Sequence, residues 1–145
     1  MPLWEWEKIQ KMLWSLVFLT SSTKMSLKEM RRVCAPLRAV RHFCLACQGL
    51  MAENVSSCPD RDCPLWAWRF PVNQEENANT LRDKSRQALR AIRRQCMCCA
   101  ESRHEIRTCS ARENCELWSF RFGVRPDTYK VVRRRFLSPK FLRLF

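Results

Sequence analysis

The chain is poor in residue types that several common active sites require. Among its 145 residues are two glycines, one tyrosine and two histidines. Two glycines are too few for a glycine-rich phosphate-binding loop. The sequence contains no Ser–His–Asp set and no paired-carboxylate motif, and no apolar run approaches the ~20 residues of a membrane span. We therefore expect a non-catalytic protein with no small-molecule substrate and no membrane partner.

Cysteine, in contrast, is abundant, and eight of the ten cysteines form two matching sets of four. A pair spaced Cys-x-x-Cys can grip one metal ion, and a second pair roughly ten residues on completes the tetrahedral thiolate site that zinc prefers. Four cysteine ligands leave no open position for a catalytic water, so the predicted sites are structural. The sequence predicts two Zn²⁺ per chain, with these ligands: Cys44, Cys47, Cys58 and Cys63; Cys96, Cys99, Cys109 and Cys115.

Other uses of the cysteines are weighed against zinc. A disulfide framework is the main alternative because ten is an even number, but Cys98 and Cys99 are adjacent and no convincing secretion signal precedes the array. Iron–sulfur ligation fits the same spacing. A thioredoxin-like redox pair would need a βαβ pattern, which is missing. Cys34 and Cys98 fall outside both sets and are expected to be ordinary thiols, although Cys98 could replace a neighbouring ligand. His42 and His104 are expected on the surface because four cysteines already fill each site, and a ligand role is the alternative.

The two cysteine sets belong to an internal repeat with an offset of 52 residues. Residues 37–41 precede the first set and the similar residues 89–93 precede the second. Each set ends in an aromatic tail, residues 66–70 and residues 118–122. Such repetition indicates two copies of one supersecondary unit. A unit this small rarely folds on its core alone, and four metal-binding cysteines can supply the missing stability.

The sequence predicts a helix, a cysteine turn, a loop, a second cysteine turn and a strand in each copy. Ser26 is the predicted N-cap of the first helix, and Pro36 is expected to end it or to begin a short helix over about 36–43. Thr80 is the predicted N-cap of the long helix that leads to Cys96. After the last cysteine of each set, aromatic residues alternate with others, and this period of two is typical of a strand.

The predicted fold class is therefore small α+β, with two tandem zinc-ribbon-like or zinc-knuckle-like modules. The two aromatic strands are expected to pair or pack across a pseudo-two-fold, with base stacking as the alternative use of their aromatic face. The predicted division is an N-terminal extension upstream of the true start, 1–24, a first zinc module, 25–72, a polar linker, 73–80, a second zinc module, 81–124, and a basic tail, 125–145. A short packing helix and a secretion signal are the alternatives for residues 1–24.

The charge of the chain is strongly positive. Lys and Arg number 27 against 14 Asp and Glu, a formal net charge of +13, which eight thiolates and two Zn²⁺ would lower to about +9. A cationic surface favours polyanions, of which nucleic acid is the commonest, so DNA or RNA binding by a cytoplasmic protein is the first hypothesis. The predicted phosphate contacts are Arg38, Arg41, Arg90, Arg93, Arg94, Arg133, Arg134 and Arg135.

Three other interpretations of the charge and the aromatic residues remain open. The arginines could simply solvate helix faces. The protein could be an interaction adaptor that uses an exposed aromatic strand or residues 141–145. It could also be an accessory of a nuclease or another enzyme. Arginines from both copies converging on one face would favour nucleic acid, whereas scattered arginines beside an exposed apolar groove would favour the adaptor.

The repeated motif resembles a short four-cysteine module of small bacterial and prophage proteins. The module's pattern is Ala-Ile-Arg-x-x-Cys-x-x-Cys, then Val-x-x-Cys, then Cys-Pro-Leu-aromatic-x-aromatic-Arg-Phe-Gly, and this chain carries it twice. The first copy has Pro71 in place of the final glycine, and the second has Glu116 in place of the proline. The resemblance implies zinc binding by the eight cysteines and assigns no activity.

Overall fold

The computed structural model describes residues 25–73 and 75–137, so the predicted extension 1–24 and the C-terminal residues 141–145 lie outside it. Each repeat is a long helix that ends at the first cysteine pair, a short helix before the third cysteine, and a 3-10 turn after the fourth. The elements are α1 (Leu27–Cys47), α2 (Ala52–Ser56), the first 3-10 turn (Trp66–Trp68), α3 (Ala78–Cys99), α4 (Arg103–Thr108), the second 3-10 turn (Trp118–Phe120) and α5 (Pro126–Leu137).

The predicted α+β class is wrong, because the described residues form helices and contain no strand. The backbone N–H of Trp68 donates to the carbonyl of Leu65 at 2.9 Å, and Phe120 donates to Leu117 at the same distance. These short-range bonds satisfy the backbone locally, whereas a strand would need a partner. In a 3-10 turn residues i and i+3 share a face, so Leu65 and Trp68 turn together towards the core. The predicted pairing of two aromatic strands is wrong for the same reason.

The helix boundaries confirm one predicted cap and correct two other details. The Ser26 hydroxyl accepts the backbone N–H of Glu29 at 3.2 Å, as an N-cap should. Pro36 lies inside the continuous helix α1 and neither ends it nor begins another, because its fully buried ring offsets the lost N–H. The second long helix is capped by Asn77 and not by Thr80. Asn77 lies one turn earlier, and its side-chain oxygen accepts the N–H of Asn79 at 2.9 Å.

Equivalent residues of the two copies meet in one shared core. Helices α1 and α3 lie side by side and run in the same direction, because Glu29 pairs with Arg82 near their starts while later positions meet further along. The core holds the same three positions of each copy at the 52-residue offset. Burying each large apolar side chain stabilises the fold by roughly 1.5–3 kcal/mol. The shared residues are Ala39 and Ala91, Val40 and Ile92, and Leu65 and Leu117.

A second, smaller cluster closes the end of the helix pair away from the cysteines. Val33 and Cys34 of α1 pack there against Leu81 of α3, with Met30 and Val72 at the edge. Burial raises the pKa of the Cys34 thiol. A buried thiol of this kind packs like a small apolar side chain, as expected for Cys34.

Helix α5 follows the second copy directly. The ring of Tyr129 stacks on Phe122 of the second aromatic tail, with ring centroids 4.4 Å apart. Arg125, just before α5, donates to the hydroxyl of the buried Ser85 of α3 at 3.3 Å. These contacts attach the start of α5 to the second copy. Within 25–73 and 75–137 no helix has the length and apolar character needed to cross a membrane.

Candidate metal centres and their basic surroundings

The four cysteines of the first set line one small cavity of about 70 Å³. Cys44 and Cys47 lie at the end of α1, Cys58 follows α2, and Cys63 precedes the first 3-10 turn. The chain can reverse after α1 because Gly49 adopts a φ of 67°, a left-handed conformation that glycine tolerates best. Three separate segments thus bring the predicted ligands of the first site together.

The second set repeats this arrangement around a larger cavity of about 190 Å³. Cys96 and Cys99 end α3, Cys109 follows α4, and Cys115 precedes the second 3-10 turn. The cavity is also lined by Phe43, which comes from the first copy. Each of the ten cysteines is a free thiol.

The thiols of each set act on one another electrostatically. The pKa of Cys44 is raised to about 11 by burial first and then by the neighbouring Cys63, Cys47 and Cys58 thiolates, while Arg41 opposes the rise. The same causes raise the pKa of Cys96 to about 11: burial first, and then the Cys115, Cys99 and Cys109 thiolates. Without a counter-ion, these clusters therefore favour protonated thiols.

The four thiols of each set line the cavity wall, but they do not lie close enough together to bind one metal ion directly. In the described part of the chain, no three Cys, His, Asp or Glu side chains are placed tightly enough to hold a metal ion as they stand. The donor chemistry nevertheless fits zinc, because four thiols face one small space in each copy. A bound ion would require the sulfur atoms to draw in to the ~2.3 Å of a Zn–S bond.

The arginine of each aromatic tail clamps the loop that carries the third cysteine. In the first copy, Arg69 is 8% exposed and donates from Nε to the Val55 carbonyl at 3.2 Å and from Nη1 to the Trp66 carbonyl at 2.7 Å. Its guanidinium lies 3.8 Å from the centre of the Trp66 ring. The Trp66 indole N–H donates in turn to the Cys58 carbonyl at 3.4 Å. The aromatic tail therefore fixes the position of Cys58.

The second copy has the same clamp. Arg121 donates to the carbonyls of Ile106 at 3.1 Å and Trp118 at 2.9 Å, and its guanidinium lies 3.7 Å from the Trp118 ring centre. The Trp118 indole N–H donates to the Cys109 carbonyl at 2.9 Å. Sequence reasoning missed both clamps. The signal was the repeated Arg-Phe after each aromatic pair, which the strand prediction left without a specific role.

Two of the predicted phosphate contacts support these clamps. Arg41 donates from Nη1 to the carbonyl of Arg69 at 2.9 Å, and Arg93 donates to the carbonyl of Arg121 at 3.2 Å. Part of each guanidinium is therefore engaged within the protein. Arg38 donates to the carbonyl of Arg31 at 2.7 Å. The other predicted contacts are exposed on α3 and α5: Arg90, Arg94, Arg133, Arg134 and Arg135.

The immediate surroundings of the two cysteine cavities differ. At the first, Gln48 donates from Nε2 to Cys58 Sγ and the Cys63 thiol donates to Gln95 Oε1, both at 3.7 Å. The equivalent positions in the second copy are Ala100 and Phe43, which both line its cavity. Gln95 also lines the second cavity, but its amide contacts a sulfur of the first set. Amide–sulfur contacts are therefore seen at the first site and not at the second within the described residues.

The remaining candidates lie away from these cavities. His104 is exposed on α4, and His42 lines a separate groove on α1, so neither histidine lines either of the two cysteine cavities. Cys98 is exposed at the end of α3 and does not line its neighbours' cavity.

Two grooves of similar size flank the long helices. The first, of about 380 Å³, is lined by Arg31, Arg38, Arg41 and His42 together with apolar residues. The second, of about 420 Å³, lies between α1, α3 and the start of α5, and we call it the arginine groove. Arginines of both copies meet there. They are Arg32, Arg82, Arg86, Arg90 and Arg125.

Comparisons with known proteins add no relative. No family model matches the chain, and no curated protein or solved structure is significantly similar to it. The likeness to the four-cysteine module of bacterial and prophage proteins therefore stays a prediction from the repeated motif.

Proposed function

We propose that this protein is a non-catalytic zinc protein that binds nucleic acid. Each four-cysteine set would hold one Zn²⁺, and arginines outside the two sites would contact phosphates. The observation that carries the metal assignment is the convergence of four free thiols, from three separate segments, on one cavity in each copy.

The proposed zinc ions are structural. Zinc binds thiolates, so each ion must displace protons from half-buried thiols with a raised pKa, such as Cys44 and Cys96. A structural zinc can contribute on the order of 10–16 kcal/mol of apparent binding energy, which is large for modules of this size. Reduced, metal-bound cysteines fit the cytoplasm, where thiols are kept from pairing as disulfides.

The nucleic-acid part of the proposal is supported by charge and by where the arginines lie. The chain has a net charge of +13. Arginines from both copies converge on the arginine groove, and Arg133, Arg134 and Arg135 are exposed on α5. Contacts of this kind bind the DNA or RNA backbone and carry no direct sequence information.

Salt dependence tests this proposal. Log affinity of the zinc-loaded protein should fall linearly with log salt, by about 0.9 per phosphate contact on duplex DNA and about 0.7 on single strands. Replacing Arg133, Arg134 and Arg135 by alanine should weaken binding to all sequences alike and flatten the slope. A triple variant with the same charge loss, Lys28→Ala, Arg103→Ala, Arg107→Ala, is the control.

The outcomes separate three cases. Equal weakening by both triple variants would mean that net charge alone acts. An unchanged slope for the α5 variant would move the contacts to α1 and α3. A zinc-loaded wild type that binds neither DNA nor RNA at low salt would contradict nucleic-acid binding.

A protein-interaction adaptor is the second candidate. It is favoured by apolar residues on the outside of α5, where Phe136 is 84% exposed and Val131 is 48% exposed, and by Phe70, which is 48% exposed. This candidate predicts that the zinc-loaded protein shows no salt-dependent affinity for nucleic acid.

A further inference from the structure

The arginine groove combines five guanidinium groups from three parts of the fold. Arg82, Arg86 and Arg90 recur every four residues along one face of α3, because a helix makes one turn in 3.6 residues. Arg32 faces them from α1, and Arg125 closes the groove at the start of α5. The groove has a volume of about 420 Å³.

The carboxylates around the groove neutralise only part of this charge. Glu29 pairs with Arg82 at 2.6 Å and Asp127 with Arg32 at 3.2 Å. Asp83 pairs with Arg86 at 3.3 Å, and both side chains are more than 60% exposed. The side chains of the Asp127–Arg32 pair are exposed to the same extent, and solvent weakens both of these pairs, so Arg32 and Arg86 remain available to another anion. Among the described residues, neither Arg90 nor Arg125 is ion-paired with a carboxylate.

Arg125 is the arginine of the groove whose surroundings point most directly to an anionic ligand. Its Nε atom is buried and has no hydrogen-bond partner among the described residues, although Nη2 donates to Ser85. A buried donor without an acceptor is unfavourable, and native proteins generally supply one. Burial lowers the pKa of Arg125, and repulsion from Arg32, Arg86 and Arg82 lowers it further. An anion in the groove would relieve the repulsion among these arginines.

Two of the three α3 arginines in the groove are not a general property of the repeat, whereas Arg90 has Arg38 as its counterpart in the first copy. At the equivalent positions the first copy has Met30 where α3 has Arg82, and Cys34 where α3 has Arg86. Met30 and Cys34 are part of the small apolar cluster between the helices. The second copy thus carries arginines at two positions that are apolar in the first, and both line one groove, which points to a role for that groove beyond folding.

We propose that the arginine groove is a phosphate-binding site. The guanidinium groups of Arg82, Arg86, Arg90 and Arg125 are the donors, because the planar arginine fork matches phosphate oxygens in pairs. The phosphate belongs either to a nucleic-acid backbone or to a free polyphosphate ion, since both present the same oxygens. The first source rests on the proposed function and gives it a specific contact.

The test uses the zinc-loaded full chain with two probes, a labelled single-stranded oligothymidylate and inorganic tripolyphosphate. Arg86→Gln is the main variant, because Arg86 is exposed and its replacement should not disturb the fold. Arg125→Gln is the second variant, and Arg107→Gln, on the exposed face of α4, is the control of equal charge. Arg86→Gln should weaken oligonucleotide binding about tenfold, lower the salt slope by about 0.7 and abolish tripolyphosphate binding. Arg107→Gln should change none of these.

The two probes separate failure of the groove from failure of the proposed function. Wild-type oligonucleotide binding with the same affinity and slope in the Arg86 and Arg107 variants would overturn the groove and leave nucleic-acid binding standing. Arg86-dependent binding of tripolyphosphate without any oligonucleotide binding would support the groove with a free polyphosphate and overturn the proposed function. Binding of neither probe would overturn both.

Discussion

Arg69 and Arg121 follow the aromatic pairs and hold each tail in place by side-chain hydrogen bonds to backbone carbonyls. In a sheet, backbone hydrogen bonds to a neighbouring strand would have held the tail. Each guanidinium joins the short helix to the 3-10 turn through two carbonyls and stacks on a tryptophan. A lysine could keep the charge at these positions but could not reach two carbonyls from a rigid fork. The clamp therefore depends on the identity of the residue and not only on its charge.

Replacing Arg69 by lysine should destabilise the protein more than replacing Arg121 by lysine. Arg69 is 8% exposed, and its loss would leave the carbonyls of Val55 and Trp66 without these donors, at a cost of about 1–3 kcal/mol. Chemical denaturation of the zinc-loaded variants measures the difference. Arg107→Lys, at an exposed position, is the control. An Arg69→Lys variant as stable as this control would contradict the clamp.

At the scale of elements, the sequence predicted the helices and the gathering of the cysteines better than the segments between them. The long helices and the Ser26 cap follow from apolar spacing and capping chemistry, which are local signals. The prediction of strands in the aromatic tails is wrong because each tail is very short. Over so few residues, the period of two of a strand and the period of three of a 3-10 turn fit the same pattern. Choosing between them requires knowing whether a partner strand exists, which is tertiary information.

The arginine groove, likewise, could be predicted from the sequence only in part. The spacing of Arg82, Arg86 and Arg90 along one helix face was present in the sequence. Arg32 and Arg125 join them only because α1 packs beside α3 and α5 begins next to Ser85. The difference between Cys34 and Arg86 at equivalent positions becomes interpretable only in the structure, because Cys34 lines the first groove and Arg86 lines the arginine groove.

The two proposed zinc sites should release metal at different rates. The amides of Gln48 and Gln95 contact sulfur atoms of the first set and can donate to thiolates there, whereas Ala100 and Phe43 occupy the equivalent positions of the second copy. Gln95 also lines the second cavity, but its amide contacts no sulfur of that set. Neighbouring donors of this kind typically change metal affinity 10–100-fold. A chelator should therefore strip the Cys44→Ser variant, which keeps only the second site, about tenfold faster than the Cys96→Ser variant.

A second substitution isolates the amide effect. In the Cys96→Ser background, Gln95→Ala should speed metal release from the first site, whereas Gln87→Ala, at an exposed position on the same helix, should not. Faster release from the first site than from the second in the unmodified single-site variants would contradict the proposed order.

For the whole molecule, the shared core joins the two copies into one folding unit. Ala39, Val40 and Leu65 are buried against their counterparts of the second copy. A fragment of residues 25–72 would expose this face to water even with zinc bound. We expect the full chain to unfold in one cooperative transition and the fragment to lack stable helix by circular dichroism. A fragment that melts cooperatively, at the same temperature as the full chain, would show that the copies fold independently.

The central claim is that each four-cysteine set holds one zinc ion, and the metal content of the intact protein tests it most directly. Protein purified without added metal under reducing conditions should contain two zinc ions per chain by elemental analysis. Native mass spectrometry should show one population of that mass, and Cys44→Ser and Cys96→Ser should each reduce the content to one. A metal-free chain with its cysteines oxidised in pairs, or a chain that carries iron in place of zinc, would contradict the account.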